Sequence, residues 1–313
     1  MKTPLAFRAE DLIPKQLPAT VPVAMTQVVP GLSDGCFSGV LTNAEYHSVP
    51  DYLSTSQIKP LLRSPAHLKA YLDNRDDDSG APNLGSAAHA AILEPAVFAQ
   101  DYVVYRGRRS GKEWESFKEA NPGKKILNET EMTAIAGMRE AVLSFSDYPL
   151  DKAIEIGEVE KSIFWQDPET DIKCRMRADL WTPYAIFDLK TIDDARPDNI
   201  ARQVLRMDYD LQSAMYSEGS RHFSGNTLPF IFVFVEIKPP HGVWVYPVGQ
   251  SIIDNGLNKM RAGLQAYKRL VETQDWHGYR NAITTLELPR WAANRNGSSK
   301  DSVVYDDAES CFF

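Results

Sequence analysis

The chain has 313 residues, 43% hydrophobic and 24% charged, with a formal net charge of −8. That mix is ordinary for a soluble globular protein and gives one large domain or two small ones. No run approaches 18 apolar residues, which excludes a helical membrane span, and the acidic balance excludes nucleic-acid binding by bulk charge, so any such binding needs a local basic surface or bound cations.

The N-terminus, MKTPLAFRAEDLIPKQLPATVP, has no continuous apolar stretch followed by a cleavage site, so no signal peptide is expected. Residues 1–45 are rich in Pro, Gly, Ser and Thr and read as an N-terminal arm or extended cover. From position 54, STSQIKPLLRSPAHLKAYL opens with capping residues Ser54 to Ser56. It carries apolar Ile58, Leu61, Leu62, Leu68 and Leu72, with breaks expected at Pro60 and Pro65. NRDDDSGAPN (74–83) reads as a solvated loop, and LGSAAHAAILEP (84–95) as a short helix packed through small residues. Residues 106–125 hold seven of the 34 Lys and Arg, a positive segment in an acidic chain.

A helix is expected over 128–147, after which the pattern changes to period two. KSIFWQ (161–166), a DPETD turn and IKCRMRADLW (172–181) read as a hairpin, and YAIFDLKT (184–191) as a third strand. Helices near 196–206 and 209–223 follow. FIFVFVEI (230–237) and GVWVYPV (242–248) form a second strand pair, and a long helix covers roughly 250–274. Residues 294–313 read as a flexible acidic tail. The order of elements gives an α/β fold, a mixed central β-sheet flanked by helices. Cys36, Cys174 and Cys311 are far apart, which argues against a disulfide framework or Cys-rich zinc module and suits a reducing cytoplasm.

Charged residues inside FDLKT (187–191) ask for compensation, because a charge on a core strand is costly unless paired. Alternation puts Asp188 and Lys190 on one face and Leu189 on the other. Asp179 ends the preceding strand, and the short connection TPYA brings it beside Asp188. Two carboxylates held together repel, and a divalent cation resolves the conflict; oxygen ligands favour Mg²⁺ or Mn²⁺. Lys190 then stands where it stabilises negative charge developing on a phosphate. An isolated D-x-K is most often a structural pair on an edge strand; here the context is larger. Ala178-Asp179…Asp188-Leu189-Lys190 matches the core of the PD-(D/E)XK nuclease pattern, with Ala where Pro often stands. Gln212 and Tyr216, at i and i+4 on one helical face, resemble the QxxxY motif of the RecB-like branch. Gly85-Ser86-Ala87-Ala88-His89 resembles its GxxxH element.

The likeness extends further. AEYHSVPDYLSTSQIKPLLRSPAHL, LGSAAHAAILEP, SIFWQDPETDIKCRMRADLW and TLELPRWA together resemble the RecE (exonuclease VIII) family of prophage exonucleases, from about residue 40 to 293. The resemblance implies a restriction-endonuclease-like exonuclease domain over 46–293 and Mg²⁺-dependent 5′→3′ digestion of linear double-stranded DNA. Two metal ions per site and a ring-shaped homo-oligomer, trimer or tetramer, are implied as well. Carried over residue by residue, it makes His89, Asp179, Asp188 and the Leu189 carbonyl metal ligands. Lys190 orients or activates water, Gln212 and Tyr216 brace Lys190 and the phosphate, and Glu160 is an outlying candidate for a second metal or a water.

Arg177, two residues before Asp179, shares its strand face and is suited to a terminal 5′-phosphate. Ser54 and Ser56 offer donors to the same phosphate, or simply cap a helix. Arg106, Arg108, Arg109 and Lys112 are expected against the duplex backbone, or in a solvated loop. A single-strand annealing protein is the expected partner, with the tail YDDAESCFF (305–313) as a docking segment or an untidy end. The rival readings are a Cas4-like nuclease, which needs four clustered cysteines for its iron–sulfur cluster, and a non-catalytic DNA-end binding module.

Overall fold

The computed structural model describes residues 37–74, 83–279, 283 and 285–287. The arm up to residue 36, the loop interior at 75–82 and the tail at 294–313 lie outside the described residues.

The chain begins with β1 (Phe37–Val40) and α1 (Asn43–Ser48), so residues 37–45 of the expected arm take part in the fold. Thr42 starts α1 with a capping box closed by Glu45. Next come α2 (Thr55–Leu61), boxed by Ser54 and Gln57, and α3 (Pro65–Asp73), with Ser64 as cap and Pro65 at its first position. Pro60 does not break α2 as expected. It lies inside the helix, one residue from its end, and the division from α3 falls at Ser64-Pro65.

α4 (Leu84–Leu93) and α5 (Pro95–Asp101) lead to β2 (Tyr102–Val104), α6 (Lys112–Ala120) and β3 (Lys125–Leu127), with β2 and β3 forming a small parallel pair. After α7 (Glu129–Leu143) and α8 (Leu150–Ile156) the main sheet is built from β4 (Glu158–Gln166), β5 (Lys173–Trp181) and β6 (Ile186–Ile192). α9 (Pro197–Arg206) and α10 (Tyr209–Ser224) cross over to β7 (Phe230–Glu236). β8 (Val243–Pro247) and α11 (Gln250–Thr273) complete the described fold.

The main sheet has six strands in the order β1-β4-β5-β6-β7-β8. All neighbours are antiparallel except β6 and β7, where the helical crossover makes the pair parallel. This is a mixed α/β sheet with flanking helices, as the order of elements predicts. Alternation along β7 shows the two faces. Phe230, Phe232 and Phe234 join one core with Ile58, Met215 and Met260 from α2, α10 and α11. Ile231, Val233 and Val235 join the other with Ala87, Ile135 and Ala153 from α4, α7 and α8. Each large side chain buried this way contributes about 1.5–3 kcal/mol relative to exposure.

Two contacts fix the elements that carry the site. α11 approaches the start of α10 so closely that a Cβ at Gly256 would lie 2.0 Å from the Asp210 carbonyl oxygen, so only glycine fits. Arg175 on β5 is buried and donates to the carbonyls of Tyr46 (2.7 Å) and Val49 (3.1 Å), which ties α1 and its exit to the sheet. Among the described residues no helix is long and apolar enough to cross a membrane.

Candidate active site

β5 and β6 deliver the two aspartates. They pair at Leu180–Phe187 and Trp181–Ile186, and beyond this short ladder the strands part. Asp179 bridges the opening, its Oδ2 accepting the Leu189 N–H at 2.8 Å. The structure thus ties Leu189 to the site through its amide, while its side chain packs into the core on the α4 side. Asp188 faces the other way, in register with Phe232, and is fully buried.

Glu160 on β4 stands in line with Asp179, between the paired positions Val159–Leu180 and Lys161–Ala178. Its backbone is left-handed, with φ of 56°, and no ladder pair forms there. That conformation is costly for a non-glycine residue and tends to be retained at functional sites. Here it accompanies a side chain aimed at His89, which α4 carries over the sheet. His89 Nε2 lies 3.4 Å from Asp179 Oδ2 and 3.7 Å from Glu160 Oε1. One ligand atom from each of these three residues falls within 4.8 Å of the other two. An imidazole nitrogen and two carboxylates so placed fit a divalent cation, and the donor set is weighted to oxygen.

The protonation pattern reflects the same crowding. Burial would lower the pKa of His89, but the Asp179, Glu160 and Asp188 carboxylates outweigh it and raise the value to about 9. Burial and the Asp179 charge push Glu160 up to about 7 against the pull of His89 and Arg177. Asp179 stays below the usual carboxylate range: burial opposes this, but His89, Lys190 and the Leu189 amide prevail. Asp188 is pushed up by burial, with Lys190 pulling the other way and Asp179 adding to the rise. A cluster that holds protons this way when empty releases them to a cation.

Lys190 forms an ion pair with Asp188 Oδ2, and Gln212 Nε2 donates to Asp188 Oδ1 at 2.5 Å. The structure therefore holds Asp188 between Lys190 and Gln212, beside the three converging ligands rather than among them. Tyr216, one turn after Gln212, donates to the carbonyl of Arg177 at 2.6 Å. The helical pair expected to brace Lys190 and a phosphate touches Asp188 and the β5 backbone.

Arg177 lies next to this cluster. Its Nη1 is 3.4 Å from Glu160 Oε2, its Nη2 donates to the carbonyl of Thr42 at 3.0 Å, and its guanidinium lies 4.1 Å from the Tyr46 ring centroid. Ser54 and Ser56 are engaged locally. Their hydroxyls lie 2.9 Å apart, and Ser54 also contacts Gln57, which is the capping arrangement. The basic loop folds back on α7: Arg109 donates to the Ile126 carbonyl (2.8 Å) and pairs with Glu131 (3.1 Å), and Arg106 lies 3.7 Å from Glu129. Arg108 and Lys112 are exposed. None of these four touches the carboxylate cluster, and exposed pairs of this kind hold little energy.

Two features had no counterpart in the sequence reading. Tyr209 at the start of α10 packs on Phe232 and carries Lys190 against its ring, 5.2 Å from the centroid. Lys259 from α11 binds Asp208 (2.6 Å) and the fully buried Asp210 (3.0 Å), which anchors the start of the helix that bears Gln212. An acidic DYD with a lysine some fifty residues later gives no local signal of this pairing.

A family model described as "PDDEXK-like domain of unknown function (DUF3799)" matches residues 54–287. Among solved structures, a protein from Eubacterium rectale described as a "putative exonuclease" superposes with a TM-score of 0.55 at 16% identity, covering 82% of this chain and 98% of that one. A second, SSO0001, gives a TM-score of 0.34 at 13% identity over 70% of this chain and 81% of that one, too distant to bear on the site. No curated protein matches the chain. With the family model covering 54–287 and the six-stranded sheet holding the paired aspartates and lysine, the chain belongs to the PDDEXK-like DUF3799 family and has the PD-(D/E)XK nuclease fold.

Proposed function

We propose that this protein is a divalent-metal-dependent exodeoxyribonuclease that hydrolyses linear double-stranded DNA from the 5′ end, leaving 3′ single-stranded tails. The observation that carries the reading is the convergence of His89, Glu160 and Asp179 beside the Lys190–Asp188 pair. His89, Asp179 and Glu160 would hold the cation, Mg²⁺ or Mn²⁺, with Asp188 as the adjacent carboxylate for a second ion. A divalent cation held there supplies Lewis-acid stabilisation of charge at the scissile phosphate.

The protein's own groups do the rest. Lys190, at the rim of the cluster, orients an attacking water and faces the negative charge that grows on the phosphate. Gln212 fixes the Asp188 carboxylate so that its free energy of ordering is met before substrate arrives. Arg177, beside Glu160, is suited to a terminal 5′-phosphate through one charge-assisted N–H bond.

The resemblance to the RecE family supports the finer parts of the proposal: the 5′→3′ polarity, a role in phage recombination by single-strand annealing in the cytoplasm, a trimeric or tetrameric ring, and an annealing protein as partner. A ring also reconciles a net charge of −8 with a DNA substrate, because the field is focused in a cation-lined channel rather than averaged over the surface. A Cas4-like cluster lacks its ligands, since the chain has three scattered cysteines.

The test is incubation with linear duplex carrying a 5′-phosphate and a label on either end, with Mg²⁺ or with chelator. Mg²⁺-dependent release of 5′-labelled nucleotide supports the reading. Binding without digestion under both conditions replaces it with a DNA-end binding module.

A further inference from the structure

Lys59 on α2 and Lys190 on β6 approach the same aromatic ring. The Lys59 ammonium lies 5.5 Å from the Tyr209 centroid and the Lys190 ammonium 5.2 Å from it. The ring cannot turn aside, because it packs on Phe232 and Phe234 of β7. Lys190 has a carboxylate partner in Asp188. Among the described residues Lys59 forms no ion pair; it donates to the Met207 carbonyl at 2.6 Å.

The two like charges oppose each other across this ring. Lys59 is half-buried, and its pKa is lowered first by burial and then by the positive charge of Lys190, against the weaker pull of the Asp208, Asp188 and Asp210 carboxylates. Those carboxylates act at a distance: among the described residues none pairs with the Lys59 ammonium, which keeps two further N–H donors beyond the one given to the Met207 carbonyl. A position where two like charges are held on one rigid platform is retained when function asks for it. The ligand that relieves it is an anion reaching both ammonium groups, and the proposed function puts a phosphodiester beside Lys190.

We propose that Lys59 is a phosphate-contacting residue, binding a non-bridging oxygen of a backbone phosphate on the strand being digested, on the Tyr209 side of Lys190. This deepens the nuclease reading and rests on it. Lys190 serves the reacting phosphate, and Lys59 holds the strand in register with it.

The experiment measures binding of a 5′-phosphorylated duplex oligonucleotide in chelator as a function of salt, with wild type, Lys59→Met, Lys59→Gln and Lys59→Arg. Digestion by wild type in Mg²⁺ is run in parallel. One lost phosphate contact lowers the slope of log K against log salt by about 0.9. Lys59→Met and Lys59→Gln should show that loss. Lys59→Arg should restore the slope. An unchanged slope in both neutral variants, with wild type still digesting DNA, overturns the assignment of Lys59 and leaves the nuclease reading standing. A wild type that neither binds nor digests DNA overturns the nuclease reading, and the role of Lys59 with it.

Discussion

Gln212 donates its side-chain amide to Oδ1 of Asp188 across 2.5 Å, joining α10 to a strand 24 residues earlier in the chain. The bond holds a fully buried carboxylate that, among the described residues, is otherwise paired with Lys190. Gln212→Ala is expected to lower turnover about 10- to 100-fold, the usual effect of losing a group that orients a metal-site carboxylate. Single-turnover digestion in Mg²⁺ checks this; a rate equal to wild type would place Gln212 outside the site.

On the proposed function, Lys190→Ala should separate catalysis from binding. The Lys190 ammonium is raised above the usual lysine range: burial opposes this, but the Asp188 and Asp179 carboxylates prevail, so it stays charged at neutral pH. Lys190→Ala should reduce turnover by about 10²–10³, the scale of removing one preorganised charge-stabilising donor, with a much smaller loss in DNA affinity. Equal losses in rate and affinity, measured by single-turnover kinetics and equilibrium binding, would reduce Lys190 to a binding contact.

Arg177 is held by the Thr42 carbonyl, Glu160 and the Tyr46 ring. Arg177→Ala should reduce the preference for a 5′-phosphate over a 5′-hydroxyl end by about 10- to 100-fold, the value of one charge-assisted bond of about 1.5–3 kcal/mol. Competition between the two duplexes reads this directly. A preference equal to wild type would move end recognition to other residues.

Stability has its own pH signature at Asp167, in the turn between β4 and β5. Burial would raise its pKa, but the Thr170 hydroxyl and the Arg261 guanidinium outweigh burial and lower it. A carboxyl with a depressed folded-state pKa stabilises the fold above its ordinary value of about 3.9 and loses that contribution as pH falls through the folded value. Asp167→Asn should therefore cost about 1.5–3 kcal/mol at pH 7, and the gap to wild type should close below about pH 4. Denaturant titrations at both pH values measure it; a gap independent of pH would remove the charge from the account.

The strands and the face shared by Asp188 and Lys190 were legible because their signals are local. Alternation in FDLKT places Asp188 and Lys190 together, and the i, i+4 spacing places Gln212 and Tyr216 on one helical face. What Gln212 and Tyr216 touch was not legible, since their partners Asp188 and Arg177 lie 24 and 39 residues away. Glu160 was an outlying candidate because a strand-start glutamate carries no signal of its left-handed backbone or of its alignment with Asp179. Lys59 was hidden for the same reason. Its contact to Met207 spans 148 residues, and only the packing of α2 against the start of α10 brings them together.

Manganese bound in the crystal tests the central claim most directly. Soaked wild-type crystals should show an anomalous peak within about 2.0–2.3 Å of His89 Nε2 and of oxygens from Asp179 and Glu160. The peak should be lost in crystals of Asp179→Asn. Wild-type crystals with manganese elsewhere and no peak among these three residues would contradict the metal-dependent account.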